Sequence, residues 1–177
     1  MATIKQTKRT RAIYRLAGIL VVATLFLAPV TLAVAETVKF RAVVFFVQIS
    51  EIEVGDIAGH CIGIFTQRGL STYESGEVAI MVNQGMFDSM VGMQAYSIQI
   101  FEDHSTQELK IQGSCMPTEE ENVFLFEGTF EYVKGSGRFE GIKGDGSFIG
   151  KKFALYDLAY FDCTGSYTLC PQQFQSE

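Results

Sequence analysis

A seven-residue pattern, G-x-G-x-F-x-G, occurs twice, nine residues apart: Gly135-Ser136-Gly137-Arg138-Phe139-Glu140-Gly141 and Gly144-Asp145-Gly146-Ser147-Phe148-Ile149-Gly150. Glycine lets a strand bend, bulge or be approached closely by a neighbour, and a ring set between glycines fills the space they leave. The run therefore predicts the bent strands of a closed β-barrel, with Gly135, Gly137, Phe139, Gly141, Gly144, Gly146, Phe148 and Gly150 in structural roles. Context argues against a nucleotide loop. A dinucleotide fingerprint needs a strand before it, a helix after it and an acidic residue about 20 positions on, whereas aromatic, strand-like residues flank both copies. Neither copy ends in Gly-Lys-Ser/Thr, so there is no P-loop.

Eight stretches carry strand signals: Val38–Ile52, Gly59–Thr72, Glu77–Met90, Ala95–Glu102, Gln107–Gly113, Val123–Lys134, Gly146–Leu155 and Leu158–Leu169. Turn signals such as Val54-Gly55-Asp56, Glu74-Ser75-Gly76, Glu102-Asp103-His104-Ser105 and Lys143-Gly144-Asp145-Gly146 separate them, which is the spacing of an antiparallel meander. Pro117 and Pro171 fall outside these stretches, and none of them has helical periodicity. The prediction is an all-β protein, an eight-stranded antiparallel up-and-down barrel of calycin-like form, built as one domain from residues 36–177.

Residues 1–35 are a different kind of sequence. Lys5, Lys8, Arg9, Arg11 and Arg15 form a basic leader without an acid, Leu16 to Val34 is almost wholly apolar, and Ala33-Val34-Ala35 is a small-x-small processing site. This reads as a signal peptide, which makes the protein secreted or periplasmic. The alternative is an uncleaved membrane anchor through residues 16–34, because that run approaches the length of a spanning helix.

Without the leader, nine of the 14 basic residues remain against 20 acidic ones, for a formal charge of -11. Such a chain repels phosphate backbones, and its basic residues form no stripe, so nucleic acid is not an expected partner. Glu119-Glu120-Glu121 reads as a solvated loop; nothing resembles the alternating carboxylates of a calcium loop. Export permits disulfides among Cys61, Cys115, Cys163 and Cys170, with all three pairings open and free buried thiols as the alternative. No C-x-x-C occurs and the chain has only His60 and His104, so no metal site is expected. His60 beside Cys61 mimics a thiolate and its base, but neighbouring strand residues point to opposite faces. There is no nucleophile elbow, and any triad would be an arbitrary assembly.

Several strands are apolar on both faces. Val38, Phe40, Ala42, Val44 and Phe46 share one face of the first, and Val43, Phe45, Val47 and Ile49 share the other. A barrel needs only its interior to be apolar, so part of the outside should be covered, by a second copy or by the C-terminal segment. A homo-oligomer is expected.

The stretch Tyr96-Ser97-Ile98-Gln99-Ile100-Phe101-Glu102-Asp103, then Leu109-Lys110-Ile111-Gln112-Gly113, then Phe124 to Gly141 resembles the allene oxide cyclase-like barrel family, which shares its architecture with dirigent proteins. The likeness runs from about Gly59 to Gly150 and is carried by fold motifs, as in a bacterial-type member. It implies an eight-stranded barrel around a hydrophobic cavity, often trimeric in the plant enzymes, and no cofactor. Enzymes of the family guide cyclisation through cavity shape and a few polar groups; no catalytic residue is carried over, because their polar pocket residues have no matched positions here.

Gln48, Gln67, Gln84 and Gln99 each interrupt an otherwise apolar or small-residue strand, and Tyr132 and Tyr160 offer an apolar body with one polar tip. Neutral amides and phenols inside a cavity orient a ligand without the desolvation penalty of a charge, so these six are the candidate ligand-binding residues. The expected function is binding of a small hydrophobic molecule without catalysis. The alternatives are a cofactor-free cyclase or isomerase that works by confinement and a structural or interaction barrel whose core its own rings fill.

Overall fold

The computed structural model describes residues 36–55 and 60–169; the leader of residues 1–35, Asp56 and Cys170 lie outside the described residues. Eight strands follow one another: β1 (Thr37–Val54), β2 (Ile62–Tyr73), β3 (Val78–Asp88), β4 (Gly92–Phe101), β5 (Thr106–Pro117), β6 (Val123–Ser136), β7 (Lys143–Phe153) and β8 (Leu158–Thr168). Each pairs antiparallel with the next, and β8 returns to β1 from Thr37↔Thr168 to Val47↔Leu158, which closes the barrel. Closure pairs every backbone edge that an open sheet would leave exposed. The expected all-β, eight-stranded antiparallel barrel is the observed one.

Period-2 alternation sets the faces. Along β1, Ala42, Val44 and Phe46 are buried inside while Val43, Phe45 and Val47 face out. Two irregularities interrupt the register, one in β1 between Gln48 and Ser50 and one where β5 and β6 shift at Glu108/Leu109. Each is an extra residue that sharpens the local bend, as closing a small barrel requires.

The two copies of the glycine pattern have separate uses. The first is a turn: β6 ends at Ser136, a short 3-10 segment spans Gly137–Phe139, and Gly137 (φ 60°) and Gly141 (φ 73°) hold left-handed conformations. The second copy is strand. Lys143-Gly144-Asp145-Gly146, expected as a turn, instead opens β7 and pairs with β8 from Lys143↔Thr168 onward. The reason is close approach: Phe148, Gly146 and Gly150 line the inner face, and a Cβ on Gly146 would overlap the Phe130 ring and the Thr164 carbonyl. For the same reason β5 continues past Gly113, where its run of signals stops, to Pro117 at its end; a Cβ on Gly113 would lie 2.9 Å from the Phe148 ring.

The β2–β3, β4–β5 and β6–β7 hairpins cluster at one end, and the first of the glycine turns plugs it. Phe139 is only 4% exposed and its ring centroid lies 4.8 Å from that of Phe101. Arg138 stacks over both rings, at 4.9 and 4.7 Å, and bonds Glu77 at 2.5 Å and Asp103 at 3.5 Å. The Ser105 hydroxyl accepts the Arg138 backbone N–H at 3.2 Å, and a side chain on Gly137 would collide with it.

Candidate functional site

The interior of the barrel is the candidate site, and its lining differs from side to side. On β6, β7, β8 and β1 most of the inward positions are rings, glycines and small apolar side chains, among them Phe126, Gly128, Phe130, Phe148, Phe161 and Phe40. The rings pack edge to face, Phe161 against Phe46, Phe126 and Phe148 at 5.5, 5.9 and 5.6 Å. On β2 to β5 polar side chains alternate with apolar ones such as Phe65, Met81, Leu109 and Ile111: Gln67, Ser71 and Tyr73 on β2, Asn83 on β3, Ser97 and Gln99 on β4, and Gln107 on β5 are all turned inward. The free space along the axis, within which the centre of a water molecule can move, is about 60 Å³. That accepts a few waters or a small, slender molecule; sites for drug-sized ligands run to several hundred Å³.

The polar wall is only partly satisfied. Tyr73 donates its hydroxyl to Gln99 Oε1, with Gln107 Oε1 3.2 Å away, Gln99 Nε2 lies 3.7 Å from Met81 Sδ, and Asn83 Nδ2 donates to Gln67 Oε1 at 3.4 Å. Among the described residues, Ser71 Oγ, Asn83 Oδ1, Ser97 Oγ and, across the cavity, the Tyr132 hydroxyl are buried with no protein partner. Each such group is worth about 1–3 kcal/mol of lost stability unless something else pairs it.

No protein-family model matches the sequence, and no curated protein matches it. A solved structure does: that of a pterocarpan synthase dirigent protein, with a TM-score of 0.50 and 12% identity over 82% of this chain and 96% of that one. The barrel is dirigent-like. At this identity the likeness speaks for the fold, so the chemistry of the dirigent-like barrel rests on its own residues.

Of the six candidate ligand residues, Gln67, Gln99 and Tyr132 line the cavity. Gln84 does not: on β3 the inward positions are Met81 and Asn83, which puts Gln84 in solvent. Tyr160 is outside as well, between Phe45 and Phe153 with centroids 6.2 Å from each, because its neighbours Ala159 and Phe161 take the inside. Gln48 sits at the rim of the unplugged end and donates to Glu51 Oε2. Sequence reasoning missed Ser71, Tyr73, Asn83, Ser97 and Gln107 on the polar wall, and Lys152. Lys152 alone brings a formal charge to the cavity lining; it is 18% exposed and lies 3.4 Å from Glu51 at the same rim as Gln48.

The ionisable groups deep in the cavity are held protonated. Burial pushes the Tyr132 and Tyr73 hydroxyls above the usual phenol range. Burial also pushes the Cys163 thiol up to about 12 and Cys115 up to about 11, the latter despite Lys152. Held protonated, these groups are available as hydrogen-bond donors and are poor proton acceptors.

Cys61, Cys115 and Cys163 are free thiols, and the expected disulfides do not join them. They belong to the start of β2, to β5 and to β8, strands that are never neighbours in the ladder. Any bridge to Cys170 lies outside the described residues. His60 does not serve Cys61 as a base: its Nε2 is 3.3 Å from Asp88 Oδ1, and the Cys61 thiol is pushed up by burial and by Glu53 and Glu51, the reverse of activation. His104 holds the β4–β5 turn at φ 64°. Among the described residues no three His, Cys, Asp or Glu side chains gather as a metal site.

Proposed function

We propose that this is an exported barrel that binds a small, mostly apolar molecule in its interior and does not transform it. The observation that carries this reading is the pairing of an aromatic wall with buried polar atoms that the protein leaves unpartnered. Ser71 Oγ, Asn83 Oδ1 and the Tyr132 hydroxyl all border the cavity and together offer donors and acceptors. A neutral ligand with an apolar body and a hydroxyl or carbonyl group would lie on the rings and pair these atoms. Export rests on the basic leader and the Ala33-Val34-Ala35 site, and the finer kinship with allene oxide cyclase-like barrels rests on the motif residues quoted above.

Non-catalytic binding is preferred to cyclisation because the central phenols and thiol stay protonated and the Lys152–Glu51 pair stands at the rim. The second reading, a structural barrel filled by its own rings, is favoured by the 60 Å³ volume. Native mass spectrometry of the protein purified gently from its host, followed by organic extraction, tests the two. A stoichiometric apolar compound whose affinity falls at least tenfold in both Asn83→Leu and Tyr132→Phe is the expected result. An empty protein that also rejects fluorescent apolar probes overturns binding in favour of the filled barrel.

A further inference from the structure

The barrel has a second chamber, at the plugged end. Phe40 and Tyr73 face both chambers and divide them. The free space on the far side of these two rings, in the same measure as before, is about 300 Å³, against about 60 Å³ along the axis. Five rings surround it in a closed circuit. Between centroids, Phe40 to Tyr73 is 5.7 Å, Tyr73 to Phe101 5.7 Å, Phe101 to Phe139 4.8 Å, Phe139 to Tyr167 6.1 Å, and Tyr167 back to Phe40 6.1 Å. The rings come from β1, β2, β4, the glycine turn and β8, so only a closed barrel brings them together. Gln107, 1% exposed, lies among them.

The charges at the mouth are sorted. Glu77, at the start of β3, turns its carboxylate to the plug, where it meets Arg138 at 2.5 Å. Burial and this same Glu77 push the Tyr167 hydroxyl above the ordinary phenol value, against the opposing pull of Arg138. Lys39 and Arg41 also border the chamber, but they alternate with the inward Val38, Phe40 and Ala42 and are exposed, and Arg41 is 3.6 Å from Asp162. Arg138 shows what such a surface attracts: its guanidinium stacks over Phe101 and Phe139, two of the five rings.

We propose that this chamber is a second binding site, for a small organic cation of the quaternary ammonium kind. A ring face carries the negative end of a quadrupole, and several faces around one space attract a cation whose charge is spread over methyl groups and weakly hydrated. Phe40, Tyr73 and Tyr167 supply those faces beside the two that Arg138 covers. The volume reaches the lower bound of small-molecule sites (about 300–1,000 Å³). Anions fit poorly, because Glu77 stands at the mouth and the whole chain carries a formal charge of -6. A metal ion finds no ligand set among the described residues.

The test is separate from that of the axial cavity. Calorimetric titration of the purified protein with choline should give one site per chain with a Kd in the millimolar range or tighter, and 3,3-dimethylbutan-1-ol, the uncharged isostere of choline, should bind at least tenfold more weakly. Tyr167→Leu and Phe40→Leu keep apolar bulk but remove a ring face; each should weaken choline at least threefold with unchanged far-ultraviolet circular dichroism. Leu70→Ser, on the outer face of β2, should leave binding alone. No choline binding at about 10 mM, a Kd above which is worth less than about 3 kcal/mol, overturns the proposal. Equal affinity for the alcohol overturns it without any variant. So does choline binding that falls in Glu77→Gln but survives both ring variants, since that is plain ion pairing.

Discussion

The wall built by β6, β7, β8 and β1 and the wall built by β2 to β5 enclose one cavity from chemically opposite sides. On the first, a ring lies over a glycine of the neighbouring strand again and again: Phe148 over Gly128, Phe130 over Gly146, Phe40 over Gly165. The rings and glycines fit one another there, and the Tyr132 hydroxyl is the buried polar atom on this wall, among the described residues, that has no protein partner. On the second, amides and hydroxyls share the inner face with Phe65, Met81, Leu109 and Ile111, and Ser71, Asn83 and Ser97 keep polar atoms without a protein partner. The aromatic wall is therefore the part that folds the barrel, and the polar wall is the part that gives up stability for something else. Buried polar groups left unmet are where a ligand or an ordered water finds its partners.

The sharpest way to break that comparison is to put a side chain where a ring lies. Gly146→Val places atoms into the Phe130 ring and the Thr164 carbonyl, and β8 backbone cannot retreat without opening the barrel. The variant should fail to fold, a loss of more than about 5 kcal/mol. Soluble expression with a normal thermal transition would show that the ring-on-glycine contacts are not what closes the sheet. Next in size, Phe161→Ala removes a ring that touches three others and should cost about 3–5 kcal/mol in urea denaturation, whereas Gln99→Leu on the opposite wall should cost under about 1.5 kcal/mol. Equal losses would erase the distinction between the walls.

These contacts explain how much of the fold was readable. Alternation, the eight strand-like runs and the glycine–phenylalanine spacing are local patterns, and all of them registered in the sequence. The turn at 143–146 was misread because glycine-rich polar sequence signals a turn and a ring-covered strand alike; only the Phe130 ring, brought in from β6, distinguishes them. Inside and outside were harder. Where both faces of a strand are apolar, as around Tyr160, parity gives two sets of residues but not which set is enclosed. Asn83 and Gln84 are adjacent and chemically alike, and their opposite fates depend on Met81 sharing parity with Asn83. Ser97 and Gln99 share parity with Ala95 and Phe101, a signal that was available for the polar wall. Lys152 gave none, since a lysine in a glycine-rich strand looks like a solvated residue.

Alkaline pH probes both walls at once and should have the third largest effect. The Cys163 thiol is raised from an ordinary value of 9.0 to about 12, and the Tyr73 and Tyr132 hydroxyls are raised too. Above pH 9 the unfolded chain therefore loses protons that the folded chain keeps. The stability these groups contribute is complete below about pH 9 and is lost as pH rises toward 12, by up to a few kcal/mol. Urea midpoints should be flat from pH 6 to 8.5 and fall above it. Cys163→Ala should fall less steeply, and a slope identical to the wild type would mean that the thiol is not enclosed.

The smallest expected effect separates a wall kept for function from one kept for structure. Ser71 is fully buried, borders the cavity, and its hydroxyl has no protein partner. If that hydroxyl is reserved for a ligand, Ser71→Ala removes an unmet polar group, and the empty protein should gain about 1 kcal/mol while its affinity for a polar, mostly apolar ligand drops. Stability and binding would then move in opposite directions, as they do when a site is held at the expense of the fold. If Ser71→Ala instead lowers stability, the hydroxyl is already paired with enclosed water, and the polar wall is a satisfied network that differs from the aromatic wall in composition but not in role.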